Sequence, residues 1–222
     1  MSMRTYQITI TGFQPLIMHN DDIEWADQMD DWKNDKNNKK SSKAGDDRSP
    51  AFRWIGALYH DDEQLVLPTE NIMRALMEGG AMVLVPGGKS GKTFKAQSQS
   101  GVMPRRPSWP LLVGGKPIPF AAIWSLMSQP DFKQHAEAVK QLGFRLFVKR
   151  ARIGQSKHIR VRPIFDTWSA TGELVVSDDQ ITTGVLEDLL ESAGKYKGLG
   201  DWRPGSKTPG TFGMFTAAVK EI

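Results

Sequence analysis

The 222 residues contain no cysteine. Disulfides and thiolate zinc sites are thereby excluded, and a reducing compartment such as the cytoplasm is the expected location. Histidine is scarce. His19, His60, His135 and His158 are scattered without metal-ligand spacing, so neither a metal nor a cofactor is expected. No window approaches the roughly 18 apolar residues of a membrane span, so a membrane is not an expected partner. The first residues, Met-Ser-Met-Arg-Thr-Tyr, run straight into a strand pattern and read as no signal peptide. Acidic residues are missing altogether from one long stretch, Phe144 to Pro163, which becomes central below.

What is present is the composition of a soluble globular protein, 39% hydrophobic and 24% charged. The net charge of +4 is small enough that its placement matters more than its total. The chain is expected to form a single domain over residues 1–222 with a flexible charged insertion at about 21–50.

Tyr6, Ile8 and Ile10 alternate with Gln7, Thr9 and Thr11, the pattern of a half-buried strand over Arg4 to Thr11. The insertion holds nine acidic and six basic residues. Trp25, Met29 and Trp32 allow a short amphipathic helix at its start. Lys33 to Ser49 has too few apolar residues to offset its ordering entropy and reads as a mobile loop. The spacing of Ile72, Met73, Leu76 and Met77 predicts a helix with Thr69 as N-cap and Gly79-Gly80 as its end. Gly87-Gly-Lys-Ser-Gly-Lys-Thr93 is one residue short of a phosphate-loop pattern; with Lys89, Lys92 and Lys95 it reads as a basic flexible loop, not an NTPase site. Asp131 to Leu142 is a surface helix in which His135 packs and is not a ligand. Glu173 to Ser177 is a further strand. Ile181 to Ala193 is a helix with Val185, Leu186, Leu189 and Leu190 inward, stopped by Gly194.

Two stretches carry chemistry. Phe144 to Pro163 holds Arg145, Lys149, Arg150, Arg152, Lys157, Arg160 and Arg162, interleaved with apolar residues. It reads as a β-hairpin turning at Gly154-Gln-Ser-Lys157, with Arg160 and Arg162 on one face. Like charges at this density repel unless an anion neutralises them, which points to phosphate; the plain alternative is a solvated hairpin that resists edge aggregation. Gly198-Leu-Gly-Asp-Trp-Arg-Pro-Gly205-Ser-Lys-Thr-Pro-Gly210-Thr-Phe-Gly213 holds five glycines in sixteen residues and leads into a strand, Met214 to Val219. Its main-chain N–H groups at Gly198 and Gly200 are candidates for an anion site, Arg203 and Lys207 supply charge, and Trp202 and Phe212 supply stacking faces.

The order of strand, helix, basic hairpin, helix, glycine-rich loop and strand is an α+β, ferredoxin-like βαββαβ plan with large loop insertions. At this point the sequence resembles the RAMP superfamily, the RNA-recognition-motif-like proteins of CRISPR effector complexes. Leu67-Pro-Thr-Glu-Asn-Ile-Met-Arg-Ala-Leu76 resembles the opening of the first helix of effector backbone subunits. Val185 to Gly194 leading into Gly198-Leu-Gly-Asp-Trp-Arg203 is similar to the family's glycine-rich loop, and Gly210-Thr-Phe-Gly-Met-Phe215 to its exit into the last strand. Asp201-Trp202 departs from the common form of that loop. The layout also resembles that of phage and prophage proteins. The resemblance implies single-stranded nucleic acid as partner, RNA favoured over DNA. It also implies assembly as a homo-oligomer or filament along the strand, with other effector-complex subunits as further partners.

The leading expectation is a non-catalytic nucleic-acid-binding protein in which Lys149, Arg150, Arg152, Lys157, Arg160 and Arg162 hold phosphates. The second is a metal-independent endoribonuclease of the same superfamily, with His19 or His158 as general base. The third is a structural or regulatory subunit whose hairpin docks on an acidic protein.

Overall fold

The computed structural model describes residues 3–38, 43, 45–88 and 91–222, and of residue 153 the backbone alone. In chain order the elements are β1 (Arg4–Gly12), β2 (Leu16–Ile17), α1 (Ile23–Asn34), a 3-10 turn (Arg53–Ala57), β3 (Val66–Pro68), α2 (Thr69–Gly80), α3 (Lys95–Ser100), β4 (Val102–Pro104), β5 (Ser108–Val113) and β6 (Lys116–Pro117). Then follow α4 (Phe120–Trp124), α5 (Phe132–Gln141), β7 (Arg145–Ile153), β8 (Ser156–Phe165), β9 (Ser169–Val176), α6 (Thr183–Ser192), a π turn (Ala193–Lys197) and β10 (Phe215–Glu221). The chain is thus α+β with antiparallel sheets. Among the described residues no helix is long and apolar enough to cross a membrane.

The chain divides into two compact units. One comprises residues 1–16, 66–117 and 166–222; the other comprises 17–65 and 118–165. In the first, the sheet order is β10-β1-β9-β5-β3, with β4 also on β9 and β6 on β5. The alternation read in β1 buries Tyr6, Ile8 and Ile10 on one face. Ile72 and Leu76 of α2 and Leu186, Leu189 and Leu190 of α6 are buried in the same unit, as their helical spacing predicts.

In the second unit the sheet order is β2-β8-β7. Its core gathers Trp54, Phe144 and Phe165. Trp54 Nε1 donates to His135 Nδ1 at 3.1 Å, and His135 Nε2 lies 2.9 Å from the Gln129 carbonyl. The ring is therefore held as the Nε2–H tautomer inside the core, a packed residue as expected.

Several expectations need correction. The basic hairpin is a hairpin, but it does not supply the middle strands of the main sheet; β9 lies beside β1 in that sheet, and the hairpin lies in the second unit. β9 buries Ala170, Leu174 and Val176 in the first unit, whereas β8 buries Val161, Ile164 and Phe165 in the second. Thr69 does not cap α2. Its hydroxyl donates to the Pro107 carbonyl at 2.8 Å, and Pro68 occupies the N-cap position. Gly194 does not stop α6. The helix runs on through the π turn, and Gly194 is glycine because a Cβ there would stand 2.0 Å from the Phe215 carbonyl oxygen. The basic loop after Pro86 becomes a short helix over Lys95–Ser100, held by buried Phe94 and Ser98; Lys89 lies outside the described residues. The mobile-loop expectation for Lys33 to Ser49 falls partly on Lys39–Ser42 and Ala44, which also lie outside them. At its far end, residues 45–47 are tied to β8, as described next.

Candidate nucleic-acid interface

The register of β7 and β8 sorts the basic residues by face. Lys149 pairs with Arg160, Phe147 with Arg162 and Ala151 with His158. Directly opposed residues share a face, so Lys149, His158, Arg160 and Arg162 line one side of the hairpin. Arg150, opposite Ile159, and Arg152, opposite Lys157, place three cations on the other side. Lys149, Arg150, Arg152 and Lys157 are exposed; His158, Arg160 and Arg162 are half-buried. At the turn, Arg152 Nε donates to the Gly154 carbonyl at 3.1 Å.

The half-buried arginines converge on Asp47, which is only 4% exposed. Its carboxylate accepts from Arg160 Nη1 at 3.2 Å, Arg162 Nη1 at 3.4 Å and the Val161 N–H at 3.3 Å, and Arg53 Nε lies 3.6 Å away. Backbone pairing fixes this residue: Asp47 N–H donates to the Ile159 carbonyl at 3.0 Å and Ile159 N–H to the Gly45 carbonyl at 2.7 Å. Three guanidiniums thus share one buried carboxylate. They line a cleft of about 280 Å³ together with His19 and Lys33 and with the carboxylates of Asp21, Asp22 and Asp30. His19 Nε2 lies 3.0 Å from Arg162 Nη2, and the guanidinium, having no acceptor, must be the donor. Lys33 is paired at 2.7 Å with Asp30, whose carboxyl this contact holds below its ordinary value.

Asp47 and Arg53 were invisible to sequence reasoning. Asp47 sits in a run of charged residues with no periodicity, more than a hundred residues from the arginines it holds. The argument that the hairpin charges lack an acidic neighbour holds along the chain but fails in space.

The glycine-rich loop lies in the other unit. Most of its polar groups are turned on itself. The N–H groups of Gly198, Leu199, Gly205, Gly210, Phe212 and Gly213 donate to carbonyls of Ala193, Gly213, Lys197, Arg203, Trp202 and Pro15, and Trp202 N–H donates to Asp201 Oδ1. At these positions the expected anion-binding concavity is replaced by internal pairing. Two glycines serve close approach: a Cβ on Gly213, whose φ is +67°, would stand 1.8 Å from the Leu199 carbonyl oxygen, and one on Gly210 would stand 2.0 Å from that of Trp202. Gly200 has φ +75°. Trp202 is half-buried and packs on Phe212 at a centroid distance of 5.5 Å. Arg203 Nη1 donates to Glu78 Oε2 at 3.1 Å and to the Lys197 carbonyl at 3.3 Å. Glu78 also accepts from Arg74 at 2.6 Å. Burial raises the pKa of this carboxyl, the two arginines lower it, and the arginines prevail, so it titrates below the ordinary glutamate value. Of the loop's candidate contacts, Lys207 stands exposed.

No protein-family model matches the chain, and a search of curated proteins returns no similar sequence.

Proposed function

We propose that this chain is a RAMP-type single-stranded nucleic-acid-binding protein that assembles along the strand as a backbone-like subunit, with RNA favoured over DNA. One observation carries the reading. Lys149, Arg160 and Arg162 form an in-register row of cations on one face of a hairpin, and Arg160 and Arg162 continue it into a cleft that Arg53 and Lys33 also line. Such a row suits successive phosphates of an extended backbone. The fold supports the same reading at a finer level. Taken as β1, α2, β4 with β5, β9, α6 and β10, the first unit has the strand order 4-1-3-2 of a ferredoxin-like βαββαβ core, with neighbours antiparallel. The resemblance described above supplies the preference for RNA and the assembly along a strand. Trp202 with Phe212 and the exposed Lys207 are secondary contacts in this proposal.

The test is a gel shift with single-stranded RNA and DNA of 30–40 nucleotides (roughly two to ten footprints of about 4–16 nucleotides) at low and physiological salt. Affinity is expected to fall with a log–log slope of about −0.7 per phosphate contact. Binding that is absent, or flat with salt, overturns the proposal. Binding of an acidic protein in its place favours the subunit reading.

The place of His19 in the cleft among guanidiniums favours a second reading, metal-independent RNA cleavage in which Nε2, released from the Arg162 N–H it now accepts, acts as general base while the guanidiniums stabilise the developing charge. Cleavage of labelled RNA in EDTA, abolished in His19→Ala, supports it; intact RNA over many hours removes it. His158, on the same hairpin face, is the control position.

A further inference from the structure

The second unit contains another cleft, of about 430 Å³, whose walls are aromatic. Trp25 and Trp124 meet edge to face at 6.1 Å, Phe120 and Trp124 lie 5.7 Å apart at 45°, and His60 stacks on Phe120 at 3.7 Å. The indole of Trp25 is fixed by donating to the Arg53 carbonyl at 3.2 Å. Trp124 is 46% exposed, a large aromatic face left toward water at this cleft. Asp22, Glu24 and Asp62 complete the lining, and no lysine or arginine contributes to it. Asp22 is oriented by accepting the Trp25 N–H at 3.1 Å.

The chemistry of this lining is the reverse of that around Asp47. Three carboxylates, of which Asp62 lies 3.2 Å from His60 Nδ1, in a lining without lysine or arginine disfavour a phosphate and favour a cation. Aromatic faces add attraction for a cation laid over them. An apolar ligand would need the rings but not the carboxylates. A planar guanidinium uses both: it stacks on an indole and gives parallel N–H groups to a carboxylate. We propose that this cleft binds a guanidinium group, either an arginine side chain presented by a partner protein or a free arginine-like molecule. The inference is independent of strand binding, which uses other side chains.

The experiment titrates the full chain calorimetrically with Nα-acetyl-arginine amide, Nα-acetyl-lysine amide, acetyl-Gly-Arg-Gly amide and uridine monophosphate. Saturable binding of the arginine amide is expected, with the lysine amide at least about fivefold weaker because it lacks the planar fork. Glu24→Gln and Trp124→Ala are each expected to weaken binding about tenfold or more. Both side chains are solvent-exposed, so the fold should survive, and circular dichroism checks this; should Trp124→Ala fail to fold, Glu24→Gln carries the test. Tripeptide binding about tenfold tighter than the amide identifies a protein side chain as the source, and equal binding identifies a free molecule. The proposal is overturned by any of these results: no saturable arginine binding at millimolar concentration, equal affinity for lysine, unchanged affinity in Glu24→Gln, or displacement by uridine monophosphate. Lys149→Gln should leave arginine binding intact while weakening strand binding, so the two readings fail separately.

Discussion

The hairpin and the glycine-rich loop look alike in sequence, each a basic, glycine-punctuated stretch suited to phosphate, and each turns out to hold arginine against a carboxylate from far along the chain. The outcomes differ. In the hairpin, Asp47 engages Arg160 and Arg162, with Arg53 from outside it, while five other cations, Arg145, Lys149, Arg150, Arg152 and Lys157, stay exposed. In the loop, Glu78 and the Lys197 carbonyl take up Arg203, most main-chain donors are paired within the protein, and Lys207 is the candidate cation left in water. Charge counted along the chain is therefore a poor measure of charge available to a ligand. The hairpin keeps most of its cations exposed, whereas the loop's residues chiefly shape the loop.

The contrast is broken most severely at Gly213. Gly213→Ala forces both a disfavoured φ and a clash with backbone, so thermal denaturation should show a loss of about 2–4 kcal/mol. Wild-type stability in this variant would mean that the loop is soft. Next in size is Asp47→Asn, which leaves three guanidiniums facing a neutral amide. Urea titration should show a loss of about 2–3 kcal/mol, at or below the lower end for a dry ion pair because the arginines reach water. An unchanged midpoint would show that the cluster is not held by its carboxylate.

The third effect is on affinity alone. Lys149→Gln should weaken strand binding and reduce the salt slope by about one phosphate contact's worth. Arg203→Gln should change affinity little, because its guanidinium already has partners. If the two behave in the reverse way, the assignment of ligand surface to the hairpin is wrong. The smallest effect concerns pH. The folded pKa of Glu78 is depressed, so its contacts stabilise fully above the unfolded value and are lost as pH falls through the folded one. The stability difference between wild type and Arg203→Gln, about 1 kcal/mol or less, should be constant near neutrality. It should shrink once the pH drops below the ordinary glutamate value of 4.5. A difference that persists in acid would assign the contribution of Arg203 to the Lys197 carbonyl instead.

What was legible in the sequence was local. Period-two alternation gave β1, helical spacing gave the inward faces of α2 and α6, and the turn at Gly154 gave the hairpin and the face shared by Arg160 and Arg162. What was not legible depends on distant partners. Asp47 carries no local signature; only the backbone pairing of residues 45–47 with Ile159 makes it a hub. The aromatic cleft draws Trp25, His60 and Trp124 from three separate segments. Gly194 reads as a helix stop because glycine usually ends helices, but its role is set by the Phe215 carbonyl twenty-one residues on. Local rules give the right residue type and the wrong reason whenever tertiary contact decides.

The segmental make-up of the two units has a consequence for synthesis. The second unit is complete once residue 165 has been made, but the first needs β9 and β10 on either side of β1 and must wait for the last strand. While the ribosome works from N- to C-terminus, β1 remains unpaired, with the apolar face of Tyr6, Ile8 and Ile10 uncovered, until β9 at Ser169–Val176 has been made, and the unit with the clefts can form ahead of it. Pairing Arg4–Gly12 with Phe215–Glu221 closes a loop of some two hundred residues, so this step should dominate the refolding rate of the first unit. A chaperone that shelters the nascent chain would have β1 as its natural client segment.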